Sequence, residues 1–173
     1  MPPTDKQGKS MSIRTYGDPV LRRPAEPVGA IDSGTRKTCE RMVEAMIRAD
    51  GVGLAAPQIG VAKRIIVLDV DGEFHVLINP RLVEASEETQ TFTEGCLSVP
   101  GVHADVSRSE RATVEGTGLD GSRVEITGEG LLARAIQHEM DHLDGHLFID
   151  HLSPVRRRSL LKEYERRQRE ESD

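Results

Sequence analysis

The segment His138-Glu139-Met140-Asp141-His142 constrains this chain more than any other. Two imidazoles four residues apart on a helix stand one turn apart on the same face, so both reach a single metal ion. Glu139 projects from an adjacent strip of surface, where it handles protons beside the ion rather than binding it. A catalytic site of the zinc type takes three protein ligands and keeps one position open for water. The chain must therefore bring a third ligand from elsewhere, and which residue that is decides the chemistry.

Two histidines on a helix can also be ordinary core or surface residues, but the flanking sequence argues otherwise. Leu131-Leu132-Ala133-Arg134-Ala135-Ile136 precedes the motif and Leu143 follows it, which predicts a largely buried, central helix. Gly145 is placed as the residue just past its end. Burying two imidazoles and a carboxylate together is costly unless they pair or bind a metal.

At 173 residues the chain predicts one domain with a sizeable core. Aromatics are only 3% and Trp is absent, so that core must be built from Val, Leu, Ile, Ala and Met. A net charge of −6 gives no electrostatic reason to expect nucleic acid as a specific partner. No apolar run approaches the roughly 18 residues that span a membrane. Residues 1–11 are polar and Pro-rich, lack the apolar stretch of a secretory signal, and predict a flexible tail ahead of a cytoplasmic catalytic domain over 12–153.

The cysteines have different settings. Cys39, Met42, Val43, Met46 and Ile47 form the stripe of an amphipathic helix over about 35–49, which makes Cys39 a core thiol. Cys96 lies in Glu94-Gly95-Cys96-Leu97-Ser98-Val99-Pro100-Gly101, a shaped, irregular segment between strand-like runs. A disulfide between the two is disfavoured in a cytosolic chain.

Elsewhere, residues 13–21 read as extended and 50–60 as a small-residue loop. Extended runs over 64–69 and 74–78 flank Asp71-Gly72, and runs over 112–116 and 123–127 flank Asp120-Gly121, both hairpin signals. Residues 81–85 and 89–93 add further strands. Ser153-Pro154 supplies an N-cap and a first-turn proline for a charged terminal helix over 154–173. The order predicts an α+β fold: mainly antiparallel sheets around a central metal-binding helix, with a carboxy-terminal helix.

Three candidates compete for the third ligand. A longer histidine motif would need a third His at position 148, which is Phe148. Glu163 or Glu165 downstream would give a peptidase-type site, but the surrounding 156–171 is charged nearly all round. Cys96 is favoured, because a thiolate binds a borderline divalent ion strongly and Gly95 permits close approach. A closed structural metal site would need a fourth ligand, nominally His146 or His151.

At this point the chain resembles the bacterial-type peptide deformylases. Gly51-Val52-Gly53-Leu54-Ala55-Ala56-Pro57-Gln58 is similar to that family's first motif, Glu94-Gly95-Cys96-Leu97-Ser98 to its second, and Gln137 through Gly145 to its third. Asp18-Pro19-Val20-Leu21-Arg22 resembles its amino-terminal segment, and the likeness covers about 13–152. One departure is visible: many members carry a basic residue several positions after the cysteine, where this chain reads Gly101-Val102-His103-Ala104.

The resemblance implies removal of the formyl group from the amino-terminal formyl-methionine of new polypeptides, releasing formate. It implies Cys96, His138 and His142 as ligands of one divalent ion, with Fe²⁺ first and Zn²⁺, Ni²⁺ or Co²⁺ as alternatives. Water held by the ion attacks the formyl carbon, with Glu139 as general base and then acid. Gln58 and the Leu97 backbone N–H would bind the oxyanion. Val52, Gly53, Leu131 and Ala135 would line an apolar pocket for the methionine side chain. Residues 156–173 carry six Arg and one Lys against four Glu and one Asp. That helix reads either as a solvated face with i, i+4 ion pairs or as a weak electrostatic contact with the ribosome.

Overall fold

Ile65-Ile66-Val67-Leu68 is an unbroken apolar run, and the reason lies in what flanks it. The structure, a computed structural model describing residues 12–173, places these residues in β2 (Ile65–Val70), buried on both faces. Ile66 and Leu68 point to one side of the sheet and Ile65 and Val67 to the other, and each side meets a helix. The tail expected over 1–11 lies outside the described residues.

β2 belongs to a five-stranded antiparallel sheet ordered β1 (Gly53–Ala55), β2, β3 (Glu73–Ala85), β6 (Arg111–Thr117) and β7 (Arg123–Glu129). The β4 (Thr89–Cys96) and β5 (Val99–Ser109) strands form a separate antiparallel pair. Helix α1 (Ser33–Arg48), capped by Asp32, packs Cys39, Met42 and Met46 on Ile65, Val67 and Ile78. Helix α2 (Gly130–Leu143) lies on the opposite face, where Ala133, Ile136, Met140 and Leu143 meet Ile66, Leu68, Leu77 and Val114. The third cluster joins Val99, Val102 and Val106 of β5 to Phe148, Leu160 and Tyr164, the last two from α3 (Pro154–Ser172). The α+β architecture with a central helix is as expected, and both cysteines are free.

Several local expectations need correction. Residues 13–21 are not simply extended: Pro19–Arg22 is a 3₁₀ turn capped by the Asp18 side chain. The 50–60 segment is no plain loop but carries β1 and a 3₁₀ turn over Ala56–Ile59. The expected strands over 74–78 and 81–85 are one long strand, bulged between Ile78 and Arg81 around Pro80. There the Asn79 side chain bonds both the N–H and C=O of Val28. Ile47 is 65% exposed, because its position rotates away from the Cys39–Met42–Met46 face. The terminal helix is not charged all round, since Leu160 and Tyr164 are buried against β5.

Candidate active site

Helix α2 carries His138, Glu139 and His142 beneath the loop between β4 and β5, and the fold brings Cys96 to them. One ligand atom each from Cys96, His138 and His142 lies within 4.8 Å of the others. Cys96 Sγ stands 3.4 Å from His142 Nε2. Phe148, where a third histidine would have stood, stacks on the His138 ring at 6.4 Å between centroids.

The other proposed ligands are elsewhere. Glu163 pairs with Arg167 on the outside of α3 at 3.1 Å. His146 Nδ1 faces Asp150 at 3.6 Å, and His151 Nε2 bonds Asp141 at 2.8 Å. Three donors of nitrogen and sulfur type, with space before them, suit a borderline divalent ion with an open position.

Electrostatics around the donors favour ligation. Burial alone would raise the Cys96 thiol, but the charge of His142 and a hydrogen bond and charge from His138 outweigh it and bring the thiol well below its ordinary value. Burial likewise disfavours a charged His138, yet contacts with Cys96 and Glu94 raise it well above the ordinary imidazole range. Proton and metal thus compete for one anionic pocket.

Glu94 orients His138. Its Oε1 accepts from His138 Nδ1 at 2.9 Å, leaving Nε2 to face the donor cluster. The carboxylate is gripped by Arg108 at 2.6 and 3.0 Å and by Arg134 Nη1. Burial would push Glu94 up, but the bonds from His138 and Arg108 dominate and hold it at about 2. Arg134 also bonds the carbonyls of Val106 and Gln90, and Phe92 covers its guanidinium at 5.4 Å. Sequence reasoning assigned no role to Arg108, Arg134 or Asp141. One signal was present, since a lone Arg within the apolar run 131–136 demands a buried partner.

Glu139 is 4% exposed, its Oε1 is 4.0 Å from His138 Nε2, and its Oε2 has no hydrogen-bond partner among the described residues. Burial raises its carboxyl above the usual range against the opposing charges of His138 and His142. Gly53 permits this placement, because a Cβ there would lie 3.0 Å from Glu139 Cγ.

Gln58 is 1% exposed and fixed at both ends of its amide. Oε1 accepts from Ala55 N at 2.9 Å; Nε2 donates to Ser98 Oγ at 3.1 Å and stands 3.8 Å from Cys96 Sγ. Gln58 and Cys96 border a cavity of about 440 Å³, whose lining also includes Val52, Gly53, Leu97, Leu131, Ala135, His138 and Glu139. Of the residues expected at the site, all but His142 line this cavity; His142 is buried behind it, against Cys96. His103 reaches the same cavity from β5, its ring packed against Gly95.

Comparison with known proteins places this geometry in a family. The polypeptide deformylase family model matches residues 10–158. A peptide deformylase of Thermotoga maritima is 47% identical over 150 residues, 87% of this chain and 92% of the relative. One from Acidothermus cellulolyticus is 51% identical over 150 residues, 87% of this chain and 83% of that protein. Among solved structures, a peptide deformylase from Legionella pneumophila superposes with a TM-score of 0.89 at 42% identity, covering 93% of this chain and 96% of its own. A Synechococcus elongatus peptide deformylase in complex with actinonin gives 0.85 at 41% identity, covering 95% and 87%.

Proposed function

The chain belongs to the polypeptide deformylase family, enzymes that take the formyl group off nascent peptides, and from that premise we propose how its own residues do so. The observation that carries the reading is a buried Glu139, its Oε2 without a hydrogen-bond partner among the described residues, beside the Cys96–His138–His142 donors at the wall of one cavity. Those three residues hold one divalent ion, Fe²⁺ first, with Zn²⁺, Ni²⁺ or Co²⁺ able to take the same donors. Bound there, such an ion would supply Lewis-acid polarisation and lower the pKa of water toward neutrality.

The remaining work falls to the protein. Glu139 Oε2 takes a proton from the attacking water and returns it to the amine that leaves, a role for which a carboxyl raised by burial is suited. The Gln58 amide nitrogen and the Leu97 N–H bind the oxygen on which charge develops. Gln58 arrives pre-oriented, because Ala55 N–H fixes its Oε1 and so its nitrogen end. Val52, Gly53, Leu131 and Ala135 receive the methionine side chain in the apolar part of the cavity.

The peptide backbone docks as an added strand. Among the described residues β1 is an edge of the sheet, paired only with β2, and Gly53 of that strand lines the cavity. Main-chain pairing reads the first residues without selecting their side chains. His103 supplies the polar contact on the facing wall.

The reading carries a cytoplasmic place of action, where formylated chains are made, and treats 12–153 as the catalytic unit. No helix among the described residues is long and apolar enough to cross a membrane. The exposed arginines of α3 are the surface a weak ribosome contact would use, though Arg166–Glu170 and Glu163–Arg167 pairs favour the plainer solvated face. Anaerobic purification, metal analysis and a formyl-Met-peptide assay test the whole. About one divalent ion per chain with release of formate is expected, and a metal-loaded chain that releases none would sink the proposal.

A further inference from the structure

We infer that His151 is a positioning residue for the metal centre, acting on His138 through Asp141, Arg108 and Glu94. The inference rests on the proposed metal-binding role of Cys96, His138 and His142. Its basis is an unbroken line of side-chain contacts that begins at the surface and ends on a ligand.

His151 Nε2 bonds Asp141 Oδ2 at 2.8 Å, and the same oxygen accepts from Arg108 Nη1 at 2.9 Å. The other two Arg108 nitrogens hold both oxygens of Glu94, and Glu94 Oε1 fixes His138 Nδ1. Although Asp141 lies between the two histidines of the motif, its carboxylate bonds Arg108 and His151 and belongs to no ligand group. The Arg108 and Glu94 side chains are 4% and 5% exposed, whereas Asp141 is 25% and His151 39%. His151 therefore closes the outer end of a buried network on the one carboxylate that water can reach.

Without that donor, Asp141 is free to turn toward solvent and Arg108 loses the partner that fixes its outer nitrogen. Glu94 retains Arg134 as a second anchor, so the effect on His138 is partial. Removing a group bonded directly to a metal-ligating histidine typically costs about 10–100-fold in metal affinity. For His151, further out, about a 3–10-fold loss is expected, smaller than that first-contact range.

The test uses the full chain, stripped of metal and titrated anaerobically with Co²⁺ against a competing chelator. His151→Phe keeps a ring of similar size and removes the donor; His151→Gln keeps a donor on a different frame. His151→Phe should weaken Co²⁺ binding about 3–10-fold and shift its visible ligand-field absorption, and His151→Gln should restore both toward wild type. Unchanged affinity and absorption in His151→Phe would overturn the inference, as would a loss that His151→Gln fails to repair. Failure of the wild-type chain itself to bind Co²⁺ is a different result and overturns the metal-centre reading beneath it.

Discussion

Oε1 of Glu94 lies 2.9 Å from Nδ1 of His138, which commits that ring to one tautomer and one direction. Nδ1 donates to the carboxylate, so Nε2 is the nitrogen left for an ion. The residue before the motif glycine is thus as much part of the site as the cysteine after it.

Glu94→Gln should therefore lower metal affinity by about 10–100-fold, measured by chelator competition. It should also change the acid response. Glu94 is held at about 2 against an ordinary 4.5, so its charge stabilises the fold fully above about pH 4.5 and loses that contribution as pH falls toward 2. The Tm of the metal-free wild type should fall across that window more steeply than that of Glu94→Gln. Parallel curves would show that the carboxylate contributes nothing there.

Cys96→Ala should lose both metal and activity, whereas Glu163→Ala and Glu165→Ala should stay near wild type. Glu163 is occupied by Arg167 on the outer face of α3, and the donor cluster contains Cys96. Metal content and formate release are measured on the same preparations. A Glu variant that drops both would return this chain to a peptidase-type ligand set.

Glu139→Gln should keep about one metal per chain and lose roughly 10²–10⁴ in turnover, the usual share of general acid–base catalysis. The substitution preserves shape in a pocket that has room for this side chain only because residue 53 lacks a Cβ. A metal-free product would identify Glu139 as a ligand instead.

Much of this site was legible because its signals are local. The i, i+4 histidines, Gly145 beyond them and the glycine–cysteine segment are each readable within a few residues. Asp71-Gly72 and Ser153-Pro154 also carried their turn and cap as expected. Beyond the lone Arg134 in its apolar run, the supporting charges and their shared partner were not legible, because Arg108 meets Glu94 across 14 residues and Arg134 meets it across 40. β5 was missed for a related reason. Val102, Ala104, Val106 and Arg108 alternate inward, but Pro100-Gly101 reads as a break and a buried Arg disguises the pattern. On α3, Leu160 and Tyr164 form an i, i+4 apolar pair too narrow to stand out among charges.

Gly145→Ala should be the costlier of two glycine substitutions near the site. Gly145 has φ +80°, and a Cβ there would lie 2.6 Å from the Arg22 carbonyl oxygen, a backbone atom that cannot swing aside. Left-handed strain alone costs about 1–3 kcal/mol. At Gly51 the clash, 2.9 Å, is with the mobile Cδ1 of Leu97. A Tm loss of several degrees for Gly145→Ala and a smaller one for Gly51→Ala is expected, by calorimetry. Equal losses would mean that Leu97 is as rigid as the backbone.

The terminal helix calls for a gentler test than removal. Deleting the chain after Ser153 would take Leu160 and Tyr164 out of the cluster with Val99, Val102 and Phe148, disturbing the wall that carries Cys96. The triple substitution Arg158→Gln, Arg166→Gln, Arg169→Gln leaves that packing alone, since all three side chains are exposed. The Arg166–Glu170 pair at 2.9 Å is worth on the order of 0.2–0.5 kcal/mol, so the fold should barely notice. Formyl-peptide hydrolysis should remain at wild-type level. If α3 presents a solvated face, cosedimentation with ribosomes should match wild type at every salt concentration. Phosphate contacts release counterions, so genuine docking would show wild-type association falling steeply with salt and the triple variant falling less steeply from a weaker start. The ion pairs already satisfied along the helix lead us to expect the first result.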